Sequence, residues 1–299
     1  MKKLNIIRFT TRNLYLITFL LCITACKGPT PGVTPEKIVF SGERALALVS
    51  EQMAFGDRIP GSEAHTLVGD WIITELEENG WEAQEQLFSY REFQGRNIIG
   101  MAGSKEGEWL ILGAHYDTRP ISDRDEKNPW TPVPGANDGG SGVAVLLELA
   151  RVLQTEDLNK SIWLVFFDLE DSGGIDGKDW IVGSTHFVEQ LDRIPDEVII
   201  VDMVGDSDLK IFYEANSDPE LMAEIWGIAA ELGYDTFIPA AKHSVLDDHT
   251  PFLQQGIPAI DIIDFDYPFW HTTQDTLDKV SSASLEQVGR TIQHWLVSK

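Results

Sequence analysis

The spacing of apolar and polar positions changes along this chain, and the changes mark its elements. In "AHTLVGDWIITELEENG" (64–80) apolar residues recur at helical spacing, with Leu67, Trp71, Ile72 and Leu76 on one face and Gly80 as the stop. Four short runs are apolar nearly throughout: "EWLILGAHYD" (108–117), "SIWLVFFDLE" (161–170), "EVIIVDMVGD" (197–206) and "PAIDIID" (258–264). Runs of that kind predict strands covered on both faces. Between them, "GVAVLLELARVLQ" (142–154), "KDWIVGSTHFVEQL" (178–191) and "SDPELMAEIWGIAAELG" (217–233) predict helices. "SLEQVGRTIQHWLV" (284–297) predicts a last helix, opened by a capping box of Ser284 and Gln287. Strands separated by helices predict an α/β fold: a single-domain three-layer sandwich with a mostly parallel central sheet and helices on both faces. "RPISDRDEKNPWTPVPGAND" (119–138) interrupts the pattern as a loop full of proline and charge, and a loop that long in a compact domain is often functional.

Residues before about 41 follow a different logic. Lys2, Lys3, Arg8 and Arg12 precede the apolar run "LYLITFLLCI", which is too short for an ordinary membrane span. The basic flank and the small residues before Cys26 predict an export signal over residues 1–25. "ITAC" resembles the lipobox of bacterial lipoproteins, a likeness that implies a lipidated Cys26, a membrane anchor through it, and a periplasmic or cell-surface location. A plain secretory signal with an incidental cysteine is the alternative. "KGPTPGVTPE" then predicts a flexible tether over 26–40, leaving 41–299 as the folded domain.

Composition narrows the chemistry. A formal net charge of −25 leaves no basic face to meet phosphates, which excludes nucleic acid as a partner. The two cysteines, Cys22 and Cys26, both lie within the leader and its junction, so any metal in the domain must sit on His, Asp and Glu.

Such residues gather where the apolar runs end. "GAHYD" carries His115 and Asp117, "GANDGGSG" carries Asp138, "FFDLEDSGG" carries Glu170 and Asp171, and "VDMVGD" carries Asp202. "LDDHTPF" adds Asp247, Asp248 and His249, and "FWHTTQD" adds His271. Taken singly, each has an ordinary reading: Asp138 as a helix cap, Glu170 and Asp171 as solvent-facing acids, the histidines as hydrogen-bonded structural residues. Together they sit where open α/β sheets bind ligands, at the carboxyl ends of strands, and they form the thiol-free ligand set of a catalytic zinc site.

"HYD", "ND" before a Gly-rich helix start, the acidic pair after "FFD", "DMVG" and "HTTQDT" together resemble the metal-binding framework of the M28 zinc metallopeptidases, and within them most closely the glutaminyl cyclases. That resemblance implies zinc on Asp138, Asp171 and His271, with Glu170 as the general acid/base. In a cyclase one zinc suffices, and Asp202 and Asp247 join Glu170 in a proton network. In an aminopeptidase a second zinc would use His115 and Asp202. The implied substrates are peptides with a free N-terminus. Asp171 departs from the glutamate common at that position. Asp247 before the Asp-His pair and Trp270 before the ligand histidine favour the cyclase, with Trp270 as a substrate-binding wall. The tryptophan that animal cyclases place soon after the acid/base is missing, and Trp180 is either its substitute or a helix-packing residue. A zinc aminopeptidase, and a lipid-anchored binding protein with a degenerate site, are the alternatives.

Overall fold

A computed structural model describes residues 38–104, 106–153 and 159–299; residues 1–37, with Cys26 and most of the tether, lie outside the described residues. In chain order the main elements are α1 (Gly42–Ala54), α2 (Glu63–Glu78), β1 (Glu82–Tyr90), β2 (Phe93–Gly103), β3 (Trp109–His115), α3 (Gly140–Val152), β4 (Ser161–Phe167), α4 (Val182–Glu189), β5 (Glu197–Asp202), β6 (Ile211–Glu214), α5 (Pro219–Glu231), β7 (Phe237–His243), α6 (Thr250–Gln254), β8 (Ala259–Ile263) and α7 (Ser282–Ser298).

The four apolar runs become β3, β4, β5 and β8. They are mutually parallel within a six-stranded sheet of order β1-β2-β4-β3-β5-β8, to which β1 and β2 add an antiparallel edge. Successive residues of each central strand face opposite layers. Leu110, Leu112 and Ala114 of β3 join Ile162, Leu164, Phe166, Ile199 and Val201 in a core shared with α1, α2, α3, α5 and α7. Trp109, Ile111, Val165, Phe167, Val198 and Ile200 face Phe187 of α4 and Phe252 of α6. Burial on both faces explains why these strands lack alternation. The chain leaves β3 to form β4 on one side and later β5 on the other, so a crevice opens at the carboxyl ends where the strand order reverses. Gly142 lets α3 lie against that point, since a Cβ there would stand 2.2 Å from the Val201 carbonyl.

Several expectations are corrected in detail. Leu67 is exposed, and α2 instead buries Val68, Ile72 and Leu76. The expected capping box at Ser284 and Gln287 is absent. Ser281 caps α7 by accepting from the Ala283 N–H, while Ser284 Oγ donates to the Asp206 carbonyl and Gln287 accepts from Thr236. Phe40, assigned to the tether, is buried against Gly289, and its N–H donates to the Gln293 side chain. The helix expected from Lys178 begins only at Val182, because Ile181 takes a left-handed backbone (φ 53). The hairpin of β1 and β2 carried no signal in the sequence. Its outer strand buries only Phe88, and its two-residue turn puts Arg91, not Gly or Asn, at φ 51.

Candidate active site

Each acidic or histidine residue singled out in the sequence, apart from Asp248 and His249, converges on the crevice at the carboxyl ends of the parallel strands. His115 ends β3 and Asp202 ends β5; Glu170 and Asp171 follow β4, and His271 lies in the loop after β8. Asp138 stands just before α3 but does not cap it: Gly139 (φ 76) occupies that position, which frees the carboxylate to face the crevice. Asp117 works from behind, its two oxygens accepting the backbone N–H groups of Glu170 (3.1 Å) and Asp171 (3.2 Å). Asp275 does the same for the N–H groups of Asn137 and Asp138. Arg58, fully buried, donates to the carbonyls of Tyr116, Pro134 and Gly135, which fixes the turn that carries Asp138. Leu169, Met203 and His271 all adopt positive φ (57, 46 and 56) beside the crevice, backbone strain that the surrounding hydrogen bonds must hold.

Donor spacing suits a metal ion. One donor atom from each of Asp138, Asp171 and His271 lies within 4.8 Å of the others. His271 Nε2 stands 3.1 Å from Asp171 Oδ1 and 3.7 Å from Asp138 Oδ2, bracketing the edge of about 3.4 Å of a tetrahedron with zinc bonds of about 2.1 Å. Asp138 Oδ2 and Asp171 Oδ2 are buried without a hydrogen-bond partner, which fits oxygens whose partner is a cation. His115, Asp138 and Asp202 form a second such group, with His115 Nε2 3.2 Å from Asp138 and 3.3 Å from Asp202.

Burial dominates the electrostatics. It pushes Glu170 well above the ordinary carboxylate range against the pull of His115, with Asp171 and Asp247 adding repulsion. Burial likewise lifts Asp202 to about 7 and raises Asp247. Asp138 is the exception: burial would raise it, but the His115 hydrogen bond holds it low. Burial raises Asp171 as well, against the pull of His271, so Asp138 stands apart from the other four acids of the crevice in the direction of its shift.

Glu170, Asp202 and Asp247 line a single cavity of ≈ 190 Å³ together with Asp138, Asp171 and His271, walled by Trp180, Phe265 and Trp270. Trp270 packs on His271 at 4.2 Å between ring centroids and on Phe265 at 4.7 Å. Trp180, released from α4 by the turn at Ile181, lies parallel to the His271 ring at 6.1 Å. It is therefore a wall of the site and not a helix-packing residue. Sequence reasoning also passed over Arg58, Arg119, Asp123 and Asp275, which act from outside the cavity.

Asp248 and His249 turn away from the cavity into the protein. His249 sits fully buried with Nε2 3.2 Å from Glu214 Oε2 and Nδ1 3.9 Å from Asp261 Oδ2. Asp248 and Asp261 are held well above the ordinary carboxylate range by burial, then by Asp247 and other acids. Glu214 is lowered to about 2: burial opposes this, but His249 and the N–H groups of Val245 and Asn216 outweigh it. A depressed carboxyl contributes stability above its unfolded pKa and loses it as pH falls from about 4.5 towards 2. Glu214→Gln is thus expected to cost roughly 1.5–3 kcal/mol near neutral pH. Urea midpoints of the two proteins should converge on acidification through that window; a constant gap would assign the loss to packing alone.

Comparison with known proteins gives consistent results. Residues 97–296 match peptidase family M28. Aminopeptidase YwaD of Bacillus subtilis is 30% identical over 227 residues, 70% of this chain but 45% of that protein, so the chain spans about half the length of this relative. The crystal structure of Porphyromonas gingivalis glutaminyl cyclase superposes with a TM-score of 0.83 at 36% identity, covering 87% of this chain and 99% of that one. A Zn-dependent exopeptidase from Parabacteroides distasonis matches with a TM-score of 0.83 at 31% identity, covering 88% of this chain and 100% of that one.

Proposed function

This chain belongs to peptidase family M28, and we propose that within it the protein is a zinc-dependent glutaminyl-peptide cyclotransferase, which closes an N-terminal glutamine to pyroglutamate and releases ammonia. The observation that carries this is the composition of the cavity: Asp247 and Asp202 line it beside Glu170, and aromatic rings close it. The likeness to the Porphyromonas gingivalis cyclase supports the same reading.

Asp138, Asp171 and His271 would hold the zinc, which when bound supplies Lewis acidity toward the side-chain amide carbonyl. The nucleophile is internal to the substrate, since the α-amine reaches its own carboxamide carbon and proximity supplies much of the rate. The new bond joins that nitrogen to the carboxamide carbon, and the bond from this carbon to the amide nitrogen breaks. Glu170 takes the proton the amine loses and delivers it to the departing nitrogen, which leaves as ammonia. Its raised proton affinity suits both transfers. Asp202 and Asp247, themselves raised, can share that proton. Trp270, Trp180 and Phe265 would flank the flat carboxamide and exclude water, which suits a reaction in which water must not attack.

One observation favours the aminopeptidase: His115, Asp138 and Asp202 are spaced for a second metal. The two readings separate on zinc per chain together with ammonia release from Gln-peptides and amine release from Leu-anilides. One zinc with ammonia release is expected. Two zincs with Leu-anilide hydrolysis would overturn the cyclase.

The proposal includes export and membrane attachment through a lipidated Cys26, resting on "ITAC" and its basic, apolar leader. Labelled palmitate should enter the wild-type chain and not Cys26→Ala; label in both would remove the anchor from the proposal.

A further inference from the structure

The loop from Arg119 lies outside the cavity yet grips the two least conventional elements of the metal triad. These are Asp171, with its short side chain, and His271, with its left-handed backbone. Arg119, 3% exposed, donates through Nε (3.0 Å) and Nη2 (2.7 Å) to the two oxygens of Asp123, a bidentate fork. Its remaining nitrogen, Nη1, donates to the Asp171 carbonyl (3.2 Å), the Gly173 carbonyl (3.2 Å) and Asp171 Oδ1 (3.4 Å). The guanidinium face covers Trp180 at 4.8 Å. Asp123 Oδ1 in turn stands 3.3 Å from Nδ1 of His271, the ring nitrogen opposite the one that faces Asp138 and Asp171. The same loop holds the His271 backbone: Arg124 N–H donates to the His271 carbonyl at 3.2 Å, and Asp125 accepts from the Thr273 N–H and hydroxyl.

We propose that Arg119 and Asp123 form a positioning pair that sets the affinity of the zinc site, Asp123 by taking the Nδ1–H of His271 and Arg119 by tying Asp123 to Asp171. A proton fixed on Nδ1 leaves the Nε2 lone pair free for the metal, and a carboxylate behind the imidazole makes it a stronger donor. Arg119 keeps Asp123 in that place and draws the Asp171 carboxylate toward the same point, so a one-methylene-shorter ligand still meets the ion. Lysine cannot reproduce this, because a point charge cannot bridge two carboxylates and two carbonyls in one plane. This gives the charged, proline-rich loop a function that its composition alone left open.

The inference rests on the zinc-triad reading above, and the test separates the two. Zinc affinity is measured by competition with a chromophoric chelator for wild type, Asp123→Asn, Asp123→Ala and Arg119→Lys, with urea midpoints alongside. Asp123→Ala and Arg119→Lys should lose 10–100-fold in affinity, with zinc still reaching the wild-type stoichiometry at saturation. Asp123→Asn keeps an acceptor oxygen and should fall between them and wild type. Asp123 is partly solvent-exposed, so its variants are expected to fold. Affinities equal to wild type, or losses that merely follow lower urea midpoints, would overturn the positioning role. A wild-type chain that binds no zinc would instead overturn the triad reading itself.

Discussion

Replacing Glu170 by glutamine should lower turnover by about 10²–10⁴-fold while zinc stays bound at wild-type stoichiometry. The substitution keeps the shape of the side chain and removes its ability to accept a proton. Asp138 and Asp171 lie beside His271 as the proposed ligands, and Asp202 is engaged by His115 Nε2 at 3.3 Å, which leaves Glu170 as the first choice for the proton transfer. Stability should not suffer. Glu170 is buried among Asp171, Asp247 and Asp248, so a neutral amide relieves repulsion, and the melting temperature should be equal or higher, the usual trade between a strained site and a stable one. Steady-state kinetics, metal analysis and a thermal melt on one preparation check all three. Zinc lost from the variant would mean that ligand and base are exchanged between 170 and 171; near-normal turnover would move the proton transfer to Asp247 or Asp202.

How much of this could be seen beforehand varies with the physical signal. Strands buried on both faces announce themselves as unbroken apolar runs, so β3, β4, β5 and β8, and the residues at their ends, were legible. The edge hairpin was not, because β1 faces water along most of its length and its turn contains Arg91 where a signature glycine or asparagine would be. The sequence could not decide between the two readings of Trp180 for a similar reason. "KDWIVGSTHFVEQL" has helical periodicity throughout, and only the left-handed backbone of Ile181, which no local pattern betrays, cuts it and turns the indole into the cavity. The outer ring of Arg58, Arg119, Asp123 and Asp275 is invisible in principle to a local reading. These residues act through contacts with backbone atoms and side chains far along the chain, as Asp275 does with Asn137 and Asp138. The acids and histidines of the site declared themselves by residue type, and the framework that aims them did not.

Stripping zinc with a chelator should abolish activity and lower the melting temperature, and zinc added back should restore both. The physical reason lies in Asp138 Oδ2 and Asp171 Oδ2, both buried with no hydrogen-bond partner, the first of them 3.7 Å from His271 Nε2. On the proposed reading they would be ligands once the ion is bound; without it they are unpaired buried acceptors, each costing about 1–3 kcal/mol. Free zinc at about a hundredfold over its dissociation constant adds roughly 2.7 kcal/mol to the folded state through mass action, a shift of several degrees that calorimetry resolves. The histidines make the experiment sharper. His271→Ala should remove both zinc and the zinc-dependent part of the melting temperature. His115→Ala should keep one zinc and most of that stabilisation if Asp138, Asp171 and His271 suffice. If His115→Ala instead sheds half of the bound metal, His115, Asp138 and Asp202 hold a second ion, and the site is that of a two-metal hydrolase.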